Sequence, residues 1–232
     1  MKTQPNSYKG YRYSGEIISH TVWLYHRFTL SFRDIEDLLA ERGIVVTYET
    51  IRQWCQKFGL NYAKNLRKKQ QRLGDTWFMD EVFLNIKGQR QYLWRAVDQD
   101  GDVVDILVQS RRNKKAALNF FRKMLKSQGT PRKIVTDKLR SYGAARKEVM
   151  PSVIHCQDQY ANNRAEGSHQ PTRQQERQMR GFKSPGQAQR FLAVHCQVHN
   201  LFNVGRHLLK ARHYRMFRAR SFDTWQQVTC AC

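Results

Sequence analysis

Asp80, Asp137 and Glu166 are three acids spaced along a chain of 232 residues that is otherwise poor in acid, with 41 Lys and Arg against 19 Asp and Glu and a formal charge of +22. Mg²⁺ is a hard cation that takes oxygen ligands and dehydrates reluctantly, so metal-assisted phosphodiester chemistry needs few carboxylates, but needs them in particular places. Asp80 shares one face of the stretch Trp77 to Ile86 with Phe78, Val82, Leu84 and Ile86. A carboxylate among apolar neighbours on a half-buried strand needs a partner, and a metal ion is a good one. Asp137 directly follows Ile134-Val135-Thr136, at the carboxyl end of a short apolar strand, where sites gather in open α/β sheets. Glu166 lies in Asn162-Asn163-Arg164-Ala165-Glu166, beside Arg164, His169, Arg173 and Arg177, which suit phosphates. Glu176 is the rival third acid, but ten helical residues turn it by about 80° and move it roughly 15 Å, so both cannot serve one site. Glu81 points to the opposite strand face from Asp80; Asp98, Asp100 and Asp102 crowd a turn that favours Asp for backbone reasons; Asp75 belongs to a linker end.

These acids require a sheet to position them. Period-two alternation runs over Trp77 to Ile86, Gln91 to Asp98 and Val103 to Gln109, broken by Lys87-Gly88-Gln89 and Gln99-Asp100-Gly101, which predicts a three-stranded antiparallel meander. A helix over Ala116 to Leu125 follows, with Ala117, Phe120, Phe121 and Leu125 on its apolar side, then a buried strand Lys133 to Thr136. A short strand at Val153 to His155 and a helix from about Ala165 complete an α/β fold with the ribonuclease-H-like order of strand, strand, strand, helix, strand.

Upstream, Ser31 caps a helical pattern through Phe32, Ile35, Leu38 and Leu39 that Gly43 stops, and Thr47 opens a second through Ile51, Trp54, Cys55 and Phe58 that ends at Gly59. With a helix from Ile17 to Arg27 these form a helix-turn-helix bundle, whose second helix would offer Tyr48, Glu49, Arg52, Gln53, Gln56 and Lys57 to base edges or phosphates. A plain helical hairpin is the alternative. Lys64 to Arg72 carries five positive charges, Lys64, Arg67, Lys68, Lys69 and Arg72, and no acid before Gly74, which predicts a basic linker able to track phosphates. Residues 164 to 220 carry twelve Lys or Arg against two Glu, so this helical tail should pack one face and bind DNA with the other. The expected organisation is 1–62 arm and helix-turn-helix, 63–74 linker, 75–184 catalytic core and 185–232 basic tail.

Five cysteines at 55, 156, 196, 230 and 232 fit neither a disulfide framework nor paired zinc knuckles, and reduced thiols are the simplest reading. His195, Cys196 and His199 tempt a zinc argument, but they lie in an apolar helical stretch with no second ligand pair. No run approaches the roughly 18 apolar residues of a membrane span, and Met1 to Gly10 lacks a signal-like stretch, so a soluble, intracellular protein is expected. The excess of positive charge makes a phosphate polymer the natural partner.

At this point the chain resembles the DDE transposases of insertion sequences, and within them the IS-six group. Trp77-Phe-Met-Asp80-Glu81, Tyr92-Leu-Trp-Arg-Ala-Val-Asp98, Arg111-Arg112-Asn-Lys-Lys-Ala-Ala117, Val135-Thr-Asp137-Lys138, Ser141-Tyr-Gly143, Asn162-Asn-Arg-Ala-Glu166 and Arg180-Gly-Phe-Lys-Ser184 match its blocks in order. The resemblance implies that Asp80, Asp137 and Glu166 are the catalytic and metal-binding triad, holding two Mg²⁺ ions that Mn²⁺ can replace. It implies double-stranded DNA as partner, as terminal inverted repeats and target, with a homodimer or higher synaptic complex, a bacterial cytoplasmic, nucleoid-associated setting, and no membrane. Lys138, His169, Arg173 and Arg177 are candidate phosphate contacts. Only 28 residues separate Asp137 from Glu166, fewer than in better-known members, and the shortfall falls in Ala144 to Gln159, a loop or short-strand region. A non-catalytic, transposase-derived DNA-binding repressor is the alternative function.

Overall fold

The computed structural model describes residues 8–70, 73–137, 139–157, 162, 165, 167–205 and 208–229. Two compact units emerge, one formed by the N-terminal residues to 70 with residues 194–232, the other by residues 71–193.

In the first unit, α1 (Gly15–Arg27), α2 (Phe32–Ala40) and α3 (Tyr48–Lys69) form the three-helix bundle. Each starts at a hydroxyl cap: Ser14 accepts from Ile17 N–H, Ser31 makes a reciprocal capping box with Asp34, and Thr47 accepts from Thr50 N–H. Gly43 takes φ 72°, the left-handed conformation that closes the α2 turn. Ile18, Val22, Ile35, Leu39, Ile51, Trp54 and Phe58 are buried between the helices.

Helix α3 does not end at Gly59, and the segment expected as a basic linker is its continuation through Lys69. Gly59 is a packing residue rather than a stop: a Cβ there would meet Val194 Cγ2 at 3.3 Å and His26 Nε2 at 3.5 Å. Beyond it, buried Tyr62, Ala63 and Leu66 keep the helical apolar stripe going. That stripe packs on α8 (Ala211–Thr229), where the Tyr62 and Trp225 rings lie 5.5 Å apart and Asn65 Nδ2 donates to the Val228 carbonyl at 2.9 Å. The C-terminal tail thus belongs, in large part, with the N-terminal bundle.

The second unit is a five-stranded sheet of β1 (Thr76–Ile86), β2 (Gln89–Asp98), β3 (Val103–Gln109), β4 (Lys133–Thr136) and β5 (Ile154–Cys156), in the order β3-β2-β1-β4-β5. The first three strands are antiparallel; β4 joins β1 in parallel, and β5 joins β4 in parallel. This is the ribonuclease-H-like mixed sheet the sequence led us to expect. Lys87 and Gly88, at φ 52° and 79°, make the tight β1–β2 turn. Asp98 closes the β2–β3 turn by accepting from the N–H groups of Asp100 and Asp102.

Helices α4 (Lys114–Gln128) and α5 (Arg140–Val149) cover one sheet face, burying Phe120, Phe121, Met124 and Tyr142 against Trp77, Met79 and Trp94. The sequence reading held Ala144 to Gln159 to be loop or short strand, but its first part is the end of α5, because Tyr142 and Ala145 at helical spacing bury into this core. On the other face, α6 (Gln170–Gln178) is tied down where Arg95 Nη1 donates to Thr172 Oγ1 at 3.0 Å. The chain then enters α7 (Pro185–Phe202), whose second half returns to the first unit.

Candidate active site

Asp80 and Asp137 are brought together by strand register. Met79 pairs with Thr136 across the parallel β1–β4 ladder, so one residue further along, Asp80 is level with Asp137 at the point where β4 ends. Glu81 joins them: one carboxylate oxygen from each of Asp80, Glu81 and Asp137 lies within 4.8 Å of the others. The sequence reading set Glu81 aside because it leaves the opposite strand face from Asp80. Asp137, however, sits past the end of its strand, where the sheet no longer separates the two faces. A strand-alternation argument cannot see an acid beyond a strand end.

Glu81 is buried. It accepts from Tyr142 Oη at 2.5 Å and pairs with Arg112 Nε at 2.5 Å, while Arg112 Nη2 stands 3.5 Å from Asp137. Burial pushes the Glu81 carboxyl up to about 7 against the pull of the Tyr142 hydroxyl, with Asp137 and Asp80 adding to the rise and Arg112 opposing it. Tyr142, fully enclosed and facing that carboxylate, is raised well above the usual phenol range. Arg112 is placed by the start of α4, where Asn113 caps the helix by accepting from Ala116 N–H at 3.0 Å.

On the other side of Asp80, His169 Nε2 lies 3.3 Å from its Oδ2, and His169 is buried. Burial lowers its affinity for a proton, more than the adjacent Asp80 carboxylate raises it, so a neutral ring beside the carboxylate is favoured. The sequence reading offers His169 to phosphates; the structure encloses its ring beside the Asp80 carboxylate. Asn162 Nδ2 donates to the Met79 carbonyl at 2.8 Å, fixing the segment that carries these residues to β1 beside the acid. Three carboxylates in so small a space form an all-oxygen donor set of the kind a hard divalent cation takes.

Arg173 donates to the Phe83 carbonyl at 2.9 Å and pairs with Glu176 at 3.0 Å, which occupies the rival acid in a local ion pair; Arg177 is exposed. Glu166 and Lys138 lie outside the described residues. In the bundle, Arg52 and Gln53 both reach Glu49, Arg52 at 2.6 Å, and Lys57 sits over the Tyr11 ring at 4.8 Å. Tyr48 stacks beneath Arg33 at 4.9 Å from the ring centre, and Lys69 Nζ donates to Gln227 at 2.6 Å. Lys64 and Lys68 are exposed on α3, and Arg67 is half-buried. The His195 and Cys196 stretch is a packed helix, with the His195 ring Nδ1 bonded at 2.9 Å to the His26 carbonyl. Glu81 is set aside by strand alternation, and Arg112 and Asn162 are not singled out as site residues; the signal for all three is membership of the ordered blocks that carry the acids.

With Asp80 in the middle of the central strand β1 and Asp137 just past the end of its parallel neighbour β4, the second unit has a ribonuclease-H-like architecture. Residues 74–204 match the DDE domain of the IS240-type transposase family. The transposase of the insertion sequence-like element IS431mec from Staphylococcus aureus strain N315 is 32% identical over 169 residues, covering 71% of this chain and 75% of its own. The transposase of insertion sequence element IS257 in transposon Tn4003, also from Staphylococcus aureus, is 31% identical over the same shares. Among solved structures, the HTLV-2 integrase catalytic core domain in complex with magnesium is 13% identical, covering 59% of this chain and 90% of its own at a TM-score of 0.40. The chain belongs to the DDE-domain transposases of the IS-six family, enzymes that cleave and transfer DNA strands with the help of a divalent metal. None of the described helices is long and apolar enough to cross a membrane.

Proposed function

We propose that Asp80 and Asp137, with Glu166, are the catalytic carboxylates, and that the ions they hold are two Mg²⁺. The observation that carries this reading is the register of β1 on β4, which sets Asp80 level with Asp137. Bound Mg²⁺ would supply activation of water or a 3′-hydroxyl for in-line attack and stabilisation of the leaving 3′-oxygen. The chain's own residues prepare that event. The neutral His169 ring holds Asp80, and Arg112, anchored on Glu81, holds Asp137. Arg173 is drawn to the Phe83 carbonyl at the rim, where a strand of DNA would pass.

We assign recognition of the element's terminal inverted repeats to α3, with Tyr48, Arg52, Gln53 and Lys57 toward bases and Lys64, Arg67, Lys68 and Lys69 toward phosphates. The pairing of Arg52 and Gln53 with Glu49 is a local arrangement that a base edge can replace. Two ends must be held at once, so the working form is a homodimer or larger synaptic complex. The test is a Mg²⁺-dependent strand-transfer assay with labelled element-end duplexes, taken from DNA flanking the gene, and a target plasmid. Joined product that disappears in Asp80→Ala and Asp137→Ala supports the assignment. Sequence-selective binding with no joining by the unaltered protein would sink it in favour of a repressor.

A further inference from the structure

We infer that the first half of α8, residues 211–220, is a second duplex-DNA surface, one that grips the phosphate backbone without reading sequence. This rests on the DNA-binding reading above.

The two halves of α8 differ in surroundings. The second half is anchored: Ser221, Trp225, Val228 and Thr229 are buried, and Ser221 Oγ donates to the Leu201 carbonyl at 2.7 Å. In the first half every residue but the half-buried Tyr214 is exposed. Lys210 to Arg220 carries Lys210, Arg212, Arg215, Arg218 and Arg220, plus His213, and no acid. At 100° per residue, Arg212 and Arg220 lie on the side opposite Trp225, Arg215 lies at the flank, and Arg218 falls on the Trp225 side yet is exposed because this half of the helix is not packed.

Such a helix is built against its own interest. Arg212 with Arg215, and Arg215 with Arg218, are like charges at i,i+3, a spacing that repels when nothing lies between. No acidic partner within the helix relieves them; Asp223, its one acid, falls in the anchored half. A polyanion laid along this side supplies the missing counter-charge and gains from releasing its own condensed ions. From Arg212 to Arg220 the helix rises about 12 Å, the axial length of three to four phosphates on one DNA strand. Exposed Met216 and Phe217 beside the arginines suit the sugar edges of a backbone track.

The experiment compares the salt dependence of duplex binding for three full-length proteins by fluorescence anisotropy: unaltered, a variant with Arg212, Arg215, Arg218 and Arg220 each changed to Gln, and a control with Lys87, Lys115, Lys126 and Lys147 each changed to Gln. The last two lose equal charge. The α8 variant should lower the slope of log affinity against log salt by about 2 to 3, from ~0.9 per phosphate contact, and leave the preference for element ends over scrambled duplex unchanged. The control should lower it by less than about 1. Equal slopes for the two variants would overturn the proposal. So would a variant whose only change is a smaller oligomer on size exclusion, which would make α8 a contact between copies. If the quadruple variant melts early, the Arg212→Gln, Arg215→Gln pair, furthest from the anchored half, gives the same reading at about half the slope change. Failure of the unaltered protein to bind duplex at all would count against the parent DNA reading instead.

Discussion

Around Asp137, Glu81 and Arg112 share one task with different stakes. Glu81 keeps its proton up to about 7 while the ordinary carboxyl value is 4.5, so in the metal-free protein the folded state holds a proton there that the unfolded chain releases. Stability from this group is therefore full below about pH 4.5 and is lost as pH rises through about 7, a span of order 3 kcal/mol. The metal-free thermal midpoint should drop over that interval, and Glu81→Gln should flatten the drop. A variant profile parallel to that of the unaltered protein would show that Glu81 does not dominate. Arg112 is the positioning residue between Glu81 and Asp137. Arg112→Ala should raise the Mg²⁺ concentration needed for half-maximal joining more than it lowers the rate at saturating metal. Arg112→Lys, a point charge without the guanidinium fork, should restore little.

Among the elements, the decisive junctions are a helix start and a strand end. Asn113 at the head of α4 holds the turn from which Arg112 reaches the acids, so Asn113→Ala should cost about 1 kcal/mol in a urea melt and weaken joining beyond what that loss explains. Gly59 lies under Val194, and Gly59→Leu should destabilise the bundle by about 1 to 3 kcal/mol through overpacking, though leucine is the better helix former. These junctions also mark where reading from sequence stopped. The meander, α4, β4 and the caps of α2 and α3 were legible because alternation, helical spacing and turn residues agree there. Asp80 and Asp137 were legible as acids planted at apolar strands. Gly59 misled because a glycine that ends a helix and one that admits a neighbour look alike in one dimension. Helix α5 was hidden by its charged residues, Arg140, Arg146, Lys147 and Glu148, which leave few apolar positions to mark a period. Glu81 was illegible as a neighbour of Asp137 because their meeting depends on where β4 ends, and Arg112 because it lies in a turn ahead of α4 that no periodicity places in space.

For the whole molecule, a formal charge of +22 sets the dominant force toward DNA. Affinity for any duplex should fall by about 10³ to 10⁵ between 50 and 200 mM salt if six to ten phosphates are contacted, measured by filter binding or anisotropy. A flat salt response would mean the charge is spent elsewhere. In the second unit, the core behind the acids is aromatic. Trp94 is fully buried opposite Glu81 in the β1–β2 pairing, with its ring 5.4 Å from that of Tyr142. Trp94→Ala should cost about 3 to 5 kcal/mol and remove the surface on which the Tyr142 hydroxyl is aimed.

The parallel union of β1 with β4 has a consequence for the cell that makes this protein. A meander of β1, β2 and β3 can pair as it leaves the ribosome, but β4 must wait until α4 has been translated and packed, because a parallel neighbour needs a crossover. Until then Asp80 has no Asp137 beside it. On the proposed assignment of Asp80 and Asp137 as catalytic carboxylates, chains abandoned before that point should lack the competence to break DNA.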